Sequence, residues 1–508
     1  MKSVVIWTGF LALLYSAAGA GACSAADSPR SQPNVLVIVT DDQAPWAFGQ
    51  AVRRGRYREV PAAATPNLDR LAAEGATLDN CFCTTPVCSP ARAALMTGRY
   101  ASEFGIQDFI PQPGHKLYDP SSPVALPPEQ SVTFAEVLQE HGYRTGLVGK
   151  WHLGDWTAPG RAGYHPTRHG FDYFMGLTGG GTTPKDPVLE ENGQTRPFEG
   201  LTTDLLTDRA IGFIQRNADK PFLLCFHTRA PHAAWLPVAP EDWEPYATLD
   251  PQIPEYPGLD VAMVKRKMRE YLASTSGVDR NLGRLLDELD RLSLAQRTVV
   301  IFTSDHGYNM GHHGIWHKGN GIWATKRRPP GQMHRGTKVI SDKYRPNLYD
   351  LSLRVPAVIR WPDVIRAGSR IDATVTSLDL FPTILAMAGV ETDWPEGLRG
   401  RSLLPLLRGR VPEDWDQDLY AEYSMINYCV ATMRCYRTPR YKLIRDFHQA
   451  GRDEFYDLQS DPEELENLID TQDPAVQATI SRLHGKLMQR MRSLADPLYD
   501  QLTFEESP

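Results

Sequence analysis

Four short apolar runs, each closed by charged or imidazole side chains, constrain this chain more than any other feature. NVLVIVT (34–40) leads into Asp41 and Asp42, and RTGLVG (144–149) into Lys150, Trp151 and His152. PFLLCF (221–226) leads to His227 and then Pro231-His232, and TVVIFTS (298–304) into Asp305, His306 and Gly307. Runs of Val, Ile and Leu without alternation suit strands buried on both faces of a parallel sheet. Helix signals fill the gaps. Thr65-Pro66 opens a helix that Gly75 ends, Thr133 and Glu136 form a capping-box pattern before His141-Gly142, and Asp260 to Leu292 is long and amphipathic. This alternation predicts an α/β fold: a large, doubly wound, mostly parallel sheet flanked by helices. Such sheets bind ligands at the carboxyl ends of their strands. The four polar strand ends are therefore expected to converge.

Taken singly, these residues say little. One Asp after a strand is more often a turn or a helix cap than a ligand, and a lone Lys or His there is more often solvated. Two adjacent carboxylates differ, because like charges repel and a cation holds both. Cys81, Cys83 and Cys88 crowd one stretch. Cys81 and Cys83 are two apart on a predicted strand, point to opposite faces and cannot easily bridge. No C-x-x-C spacing or nearby Cys/His pair completes a zinc site. Cys88 precedes Ser89-Pro90, a helix start that runs to Gly98. A helix N-terminus favours anions, and Arg92 lies one turn along, so Cys88 is the candidate reactive residue.

The length, 508 residues, allows a large core and an appendage. The formal net charge of −7 gives no support to nucleic-acid binding. Lys2, the apolar run Val4 to Tyr15 and Ala20-Gly21-Ala22 read as a signal peptide over residues 1–22. The chain is thus expected to be exported: periplasmic, on the outer surface or secreted. Cleavage would leave Cys23 first, a possible lipid anchor and the one expected route to a membrane.

Cys88-Ser89-Pro90-Ala91-Arg92, continuing through Leu95-Met96-Thr97-Gly98-Arg99, resembles the C-x-P-x-R motif of the sulfatase family and its L-x-T-G-R continuation. The resemblance implies that Cys88 is converted by a formylglycine-generating maturation enzyme into an aldehyde whose hydrate is the nucleophile. It also implies one divalent metal held by Asp41, Asp42, Cys88, Asp305 and His306, with His306 replacing the commoner Asn; the oxygen ligands point to calcium, with magnesium as the alternative. Gly149-Lys150-Trp151-His152-Leu153-Gly154 is similar to the family's G-K-W-H-x-G, Pro231-His232 to a catalytic histidine and Lys318 to a catalytic lysine. Tyr441 to Ile444, Glu454 to Leu458, Asp461-Pro462 and Asn467-Leu468 look like the family's smaller C-terminal subdomain with an antiparallel sheet. The implied division is a catalytic domain over 33–410 and that subdomain over 411–508.

The chemistry implied is hydrolysis of a sulfate ester. Arg92, Lys150 and Lys318 surround the sulfuryl oxygens with positive charge, and the hydrated aldehyde attacks sulfur. Its second hydroxyl lets sulfate leave as the aldehyde re-forms, with His152 as base. His232 and Lys318 serve the leaving oxygen. A basic stretch (Lys326, Arg327, Arg328, Arg335, Lys338, Lys343, Arg345) is expected either to wall the site for a polyanionic glycan or to be a solvated loop. Trp316, Trp323 and Tyr344 are candidates to stack on sugar. The substrate expected is a sulfated saccharide outside the cytoplasm. The competing readings are a phosphodiester or phosphonate monoester hydrolase of the same superfamily and a non-catalytic sulfoglycan-binding protein.

Overall fold

The computed structural model describes Met1 and residues 32–505, Asp393 excepted. The signal peptide expected over 1–22 and Cys23 lie outside the described residues. From Pro33 onward the described residues form one compact unit.

The central sheet has ten strands, in the order Ser369–Thr376, Ala76–Phe82, Ala357–Arg360, Thr298–Ser304, Asn34–Thr40, Phe222–His227, Arg144–Lys150, Tyr173–Leu177, Val188–Glu191 and Gln194–Pro197. Its middle is parallel from Thr298–Ser304 to Tyr173–Leu177. Ala357–Arg360 runs antiparallel to both its neighbours, and a hairpin closes the far edge. Along Asn34–Thr40 the alternate residues Val35, Val37 and Val39 enter one core, and Leu36 and Ile38 the core on the opposite face. Burial on both faces is why the run carries no polar alternation. Each such side chain withdrawn from water contributes about 1.5–3 kcal/mol.

Helices cover both faces. Val261–Arg291 starts where the Asp260 carboxylate accepts from the Met263 N–H at 3.0 Å. Its residues Val278, Leu282, Leu285, Leu286 and Leu289, spaced as one helical stripe, pack on the sheet. The capping box at Thr133 forms as its residues predict: the hydroxyl accepts from Glu136 N at 3.2 Å, and the Glu136 carboxylate accepts from Thr133 N at 2.8 Å.

Four strands, Leu419–Met425, Ala431–Arg437, Tyr441–Asp446 and Glu454–Asp457, make a separate antiparallel sheet. The helix Pro474–Ser493 covers it through Leu483, Leu487 and Met491. This sheet packs against the helix Cys88–Thr97: Val87 and Ala91 share a core with Leu419, Ala421 and Tyr423.

Candidate functional site

Parallel register aligns the strand ends. Val39 pairs with His227 and Thr303, Thr40 with Ser304, and Gly149 with His227. Asp41, Asp42, Lys150, Asp305 and His306 therefore leave the sheet at one level, and all are buried. Asp42 and His152 hold left-handed backbones, φ 68° and 59°. Strain of this kind collects where a chain turns sharply to deliver a side chain.

The helix Cys88–Thr97 begins at residue 88 itself, with Val87 as its extended N-cap, and ends at Gly98 with φ 64°. A Cβ on Gly98 would lie 2.9 Å from Leu398 and 3.0 Å from Phe381, so glycine is needed there twice over. The Cys88 thiol lies 3.6 Å from Asp41 Oδ1, 3.5 Å from His306 Nε2 and 2.9 Å from Lys318 Nζ. Donor atoms of Asp41, Asp42, Cys88 and His306 all lie within 4.8 Å of one another. Asp305 stands beside them. Its Oδ1 accepts from Asp42 N at 3.1 Å and His306 N at 2.9 Å, and its Oδ2 accepts from Arg92 Nε at 3.0 Å.

The charges interlock. Lys150 donates to Asp41 Oδ2 at 2.8 Å, and Lys318 to Asp42 Oδ1 at 2.6 Å. Burial alone would raise the Asp41 carboxyl, but Lys150, then His232, Arg92 and Lys318, hold it well below the usual range. Burial likewise opposes the Lys318 ammonium, and Asp42 more than offsets it, raising Lys318. Asp42 Oδ2 is buried with no hydrogen-bond partner. An ionised, unpartnered oxygen facing further donors fits a divalent cation.

The tautomers of His152 and His232 are assignable, since a carbonyl oxygen only accepts. His152 Nε2 donates to Ile110 O at 3.0 Å, leaving Nδ1 buried without a partner. Burial, then Lys150, lowers its pKa well below the usual histidine value. His232 Nδ1 donates to Ala233 O at 2.6 Å, so the atom facing Asp42 Oδ2, at 3.9 Å, is Nε2.

These residues open on a cavity of about 530 Å³ whose walls include Cys88, His152, His232 and Lys318 together with Gln112, His115, Thr157, Thr178, His317, Asn320 and the aromatic rings Phe109, Tyr344 and Tyr428. The basic stretch corrects one expectation, because none of its Lys or Arg side chains lines the cavity. Arg345 is buried and paired with Glu454 at 3.3 Å, Arg327 pairs with Asp342 at the surface, and Arg335 covers the Tyr256 ring. Of the aromatic candidates Tyr344 lines the cavity, whereas Trp316 lies under Lys267 and Trp323 donates to Ser341 O. Arg345 is the buried member, whereas Lys326, Arg327, Arg335 and Lys343 are exposed, as the solvated-loop alternative expects.

Sequence reasoning named His227 only as a polar strand end, and it did not single out His317, Asn320, Phe109 or Tyr428. His227 Nδ1 lies 3.2 Å from Lys150 O and 3.4 Å from Arg92 Nη1, behind the site. His317 and Asn320 flank Lys318, and that adjacency was the available signal. Phe109 and Tyr428 come from distant segments, and only the fold brings their rings together, tilted with centroids 5.5 Å apart.

A family model described as Sulfatase matches residues 33–390, and one described as N-sulphoglucosamine sulphohydrolase, C-terminal, matches 341–493. The chain is similar to the N-acetylglucosamine-6-O-sulfatase of Bacteroides thetaiotaomicron, 28% identical over 86% of this chain and 83% of that one. It is 30% identical to the steryl-sulfatase of Rattus norvegicus, over 84% of this chain and 78% of that one. A solved structure of a protein in complex with its substrate D-glucosamine-2-N,6-O-disulfate superposes with a TM-score of 0.74 at 25% identity, covering 92% of this chain and 99% of that one.

Proposed function

The chain belongs to the sulfatase family and is a sulfuric ester hydrolase; from that premise we propose that it removes sulfate from a sulfated saccharide of glycosaminoglycan type outside the cytoplasm. Export rests on the leader-like residues 1–22. The carrying observation for the substrate is the cavity, where imidazole, ammonium, amide and hydroxyl groups surround Cys88. Phe109, Tyr344 and Tyr428 share that wall, and polar groups beside aromatic rings suit a sugar, with its hydroxyls and apolar face. The N-acetylglucosamine-6-O-sulfatase relative and the neighbour bound to a disulfated glucosamine support the same class.

Formylglycine, if made from Cys88 by a maturation enzyme, would supply a hydrated aldehyde as nucleophile. Asp41, Asp42, Asp305, His306 and residue 88 would hold a divalent cation, which would supply positive charge for the sulfuryl oxygens, and the carboxylate donors favour calcium.

The chain's own residues do the rest. Arg92 is locked by Asp305 and by Lys150 O, both at 3.0 Å, so its charge is oriented before substrate arrives. Lys150 keeps Asp41 ionised. Lys318, between Asp42 and Cys88, places an ammonium against the entering anion. His152 is neutral, and its unpartnered Nδ1 is the group assigned to accept the proton from residue 88. His232 Nε2 and Lys318 serve the leaving oxygen.

The test is a kcat/KM panel: N-acetylglucosamine 6-sulfate, N-acetylgalactosamine 6-sulfate, a sterol sulfate, an aryl sulfate and an aryl phosphodiester. A saccharide sulfate is expected to lead. Preference for the sterol sulfate or the phosphodiester overturns the reading. Metal analysis after mild dialysis is expected to find about one calcium per chain.

A further inference from the structure

Among the groups in the cavity wall that the sulfuryl chemistry leaves unused are His317 and Asn320. His317 ends the short strand Ile315–His317 with φ 92°, a conformation that side-chain-bearing residues rarely hold. Such strain, of order 1–3 kcal/mol, persists only where its surroundings impose it. Here Asn309 Nδ2 donates to His317 O at 3.1 Å, and Asn347 Nδ2 holds Lys318 O at 3.1 Å and Gly319 O at 3.2 Å.

The imidazole is fixed as well. His317 Nδ1 lies 2.5 Å from Asn320 Oδ1. An amide oxygen accepts and cannot donate, so Nδ1 carries the proton and Nε2 keeps a lone pair. Burial, then Lys318, pushes this imidazole down to about 3, so it is neutral at neutral pH. The Asn320 side chain is almost wholly buried, and its amide nitrogen has no protein partner among the described residues. Both residues line the same cavity as Cys88, His152 and His232, and Lys318 between them reaches Cys88 Sγ.

We propose that His317 and Asn320 form a specificity-determining pair that reads a hydroxyl of the sugar ring bearing the scissile sulfate. This rests on the saccharide reading above. His317 Nε2 accepts from the hydroxyl proton, and the Asn320 amide donates to that oxygen or its neighbour on the ring. An acceptor beside a donor matches an alcohol, which offers both. It does not match a second sulfate or a carboxylate, whose oxygens only accept and would face the imidazole lone pair. The pair would therefore select a free hydroxyl next to the sulfated position.

A cycle between substrate and enzyme tests this. N-acetylglucosamine 6-sulfate and its 3-deoxy and 4-deoxy analogues are compared on the wild type and on His317→Gly, which removes the ring where glycine accepts the backbone. Asn320→Ala, which leaves residue 317 intact, is the second variant. For the wild type, one deoxy analogue is expected to lose at least about tenfold in kcat/KM, because a site built to bond a hydroxyl rejects the compound lacking it. On either variant that penalty should shrink to about twofold, since both changes delete one interaction. Undiminished penalties on both variants, or no penalty on the wild type, overturn the pair's role. A wild type that cleaves the aryl sulfate but no saccharide overturns the substrate reading itself, and the pair's role with it.

Discussion

His152 owes its place partly to a residue without a side chain. A Cβ on Gly180 would lie 2.6 Å from His152 Nε2 and 2.7 Å from Cε1. The imidazole would turn away and lose its bond to Ile110 O. Displacement of a reacting group by about 1 Å costs on the order of a hundredfold. Gly180→Ala is therefore expected to lower kcat on an aryl sulfate by about ten- to a hundredfold while the thermal midpoint stays within a few degrees. An unchanged kcat would mean that His152 acts from elsewhere. Cys88 has a more direct check. The tryptic peptide Leu71–Arg92 from active protein is expected to carry an aldehyde at position 88, and Cys88→Ala to lose turnover. A plain thiol in fully active protein would remove the proposed nucleophile.

Elements meet at Arg229, two residues beyond the end of the strand Phe222–His227. Its guanidinium is buried, donating to Thr182 O at 2.9 Å and Ala234 O at 2.6 Å. It thus joins the loop that supplies Thr178 and Gly179 to Gly181 to the loop that carries His232. Arg229→Met would leave two carbonyls without their donor, at about 1–3 kcal/mol for each that stays buried. Urea unfolding should register that loss, and KM for the saccharide should rise several-fold as both walls loosen. Lost stability with an unchanged KM would show that the loops hold position by other contacts. The helix Cys88–Thr97 shows how much of an element is legible: Pro90 and Gly98 mark its ends. Its complete burial, and the packing of Val87 and Ala91 against the four-stranded sheet, depend on a segment more than three hundred residues away.

At the scale of the whole molecule, a buried charge cluster ties the two sheets together. Asp350 accepts from Arg437 Nε at 3.1 Å and Lys442 Nζ at 2.9 Å, and pairs with Arg354 at 3.0 Å. Lys442 also pairs with Glu464 at 2.6 Å. Asp350→Ala would strand buried cations, and breaking such a cluster costs roughly 3–5 kcal/mol. Burial opposes the Asp350 charge, but Arg437, Lys442 and Arg354 hold its carboxyl far below the usual value. A depressed folded-state pKa contributes stability that is full above the unfolded-state value, about 3.9, and lost as pH falls toward the folded one. Stability of the wild type should therefore drop steeply below about pH 4. Asp350→Asn should be less stable at neutral pH and show a shallower acid decline. Parallel declines in both proteins would place the acid sensitivity elsewhere.

Residue order alone determined the parallel centre of the sheet, because unbroken apolar runs have no other comfortable burial. It also determined that the polar strand ends converge, since such a sheet aligns the carboxyl ends of its strands. The Cys88 helix start, its Gly98 stop and the Thr133 capping box were legible because short-range hydrogen bonding and backbone sterics decide them. Tertiary structure alone decided which cations face the cavity. Lys326 to Arg345 reads equally as a wall for anions or as a solvated loop; Arg345 turns inward to Glu454 and Arg327 outward to Asp342. Tertiary structure also brought Phe109, Tyr344 and Tyr428 to one rim and left a lone pair on His317. Charge along a chain records how many ionic groups there are. Their direction depends on partners hundreds of residues distant, and no local pattern encodes it.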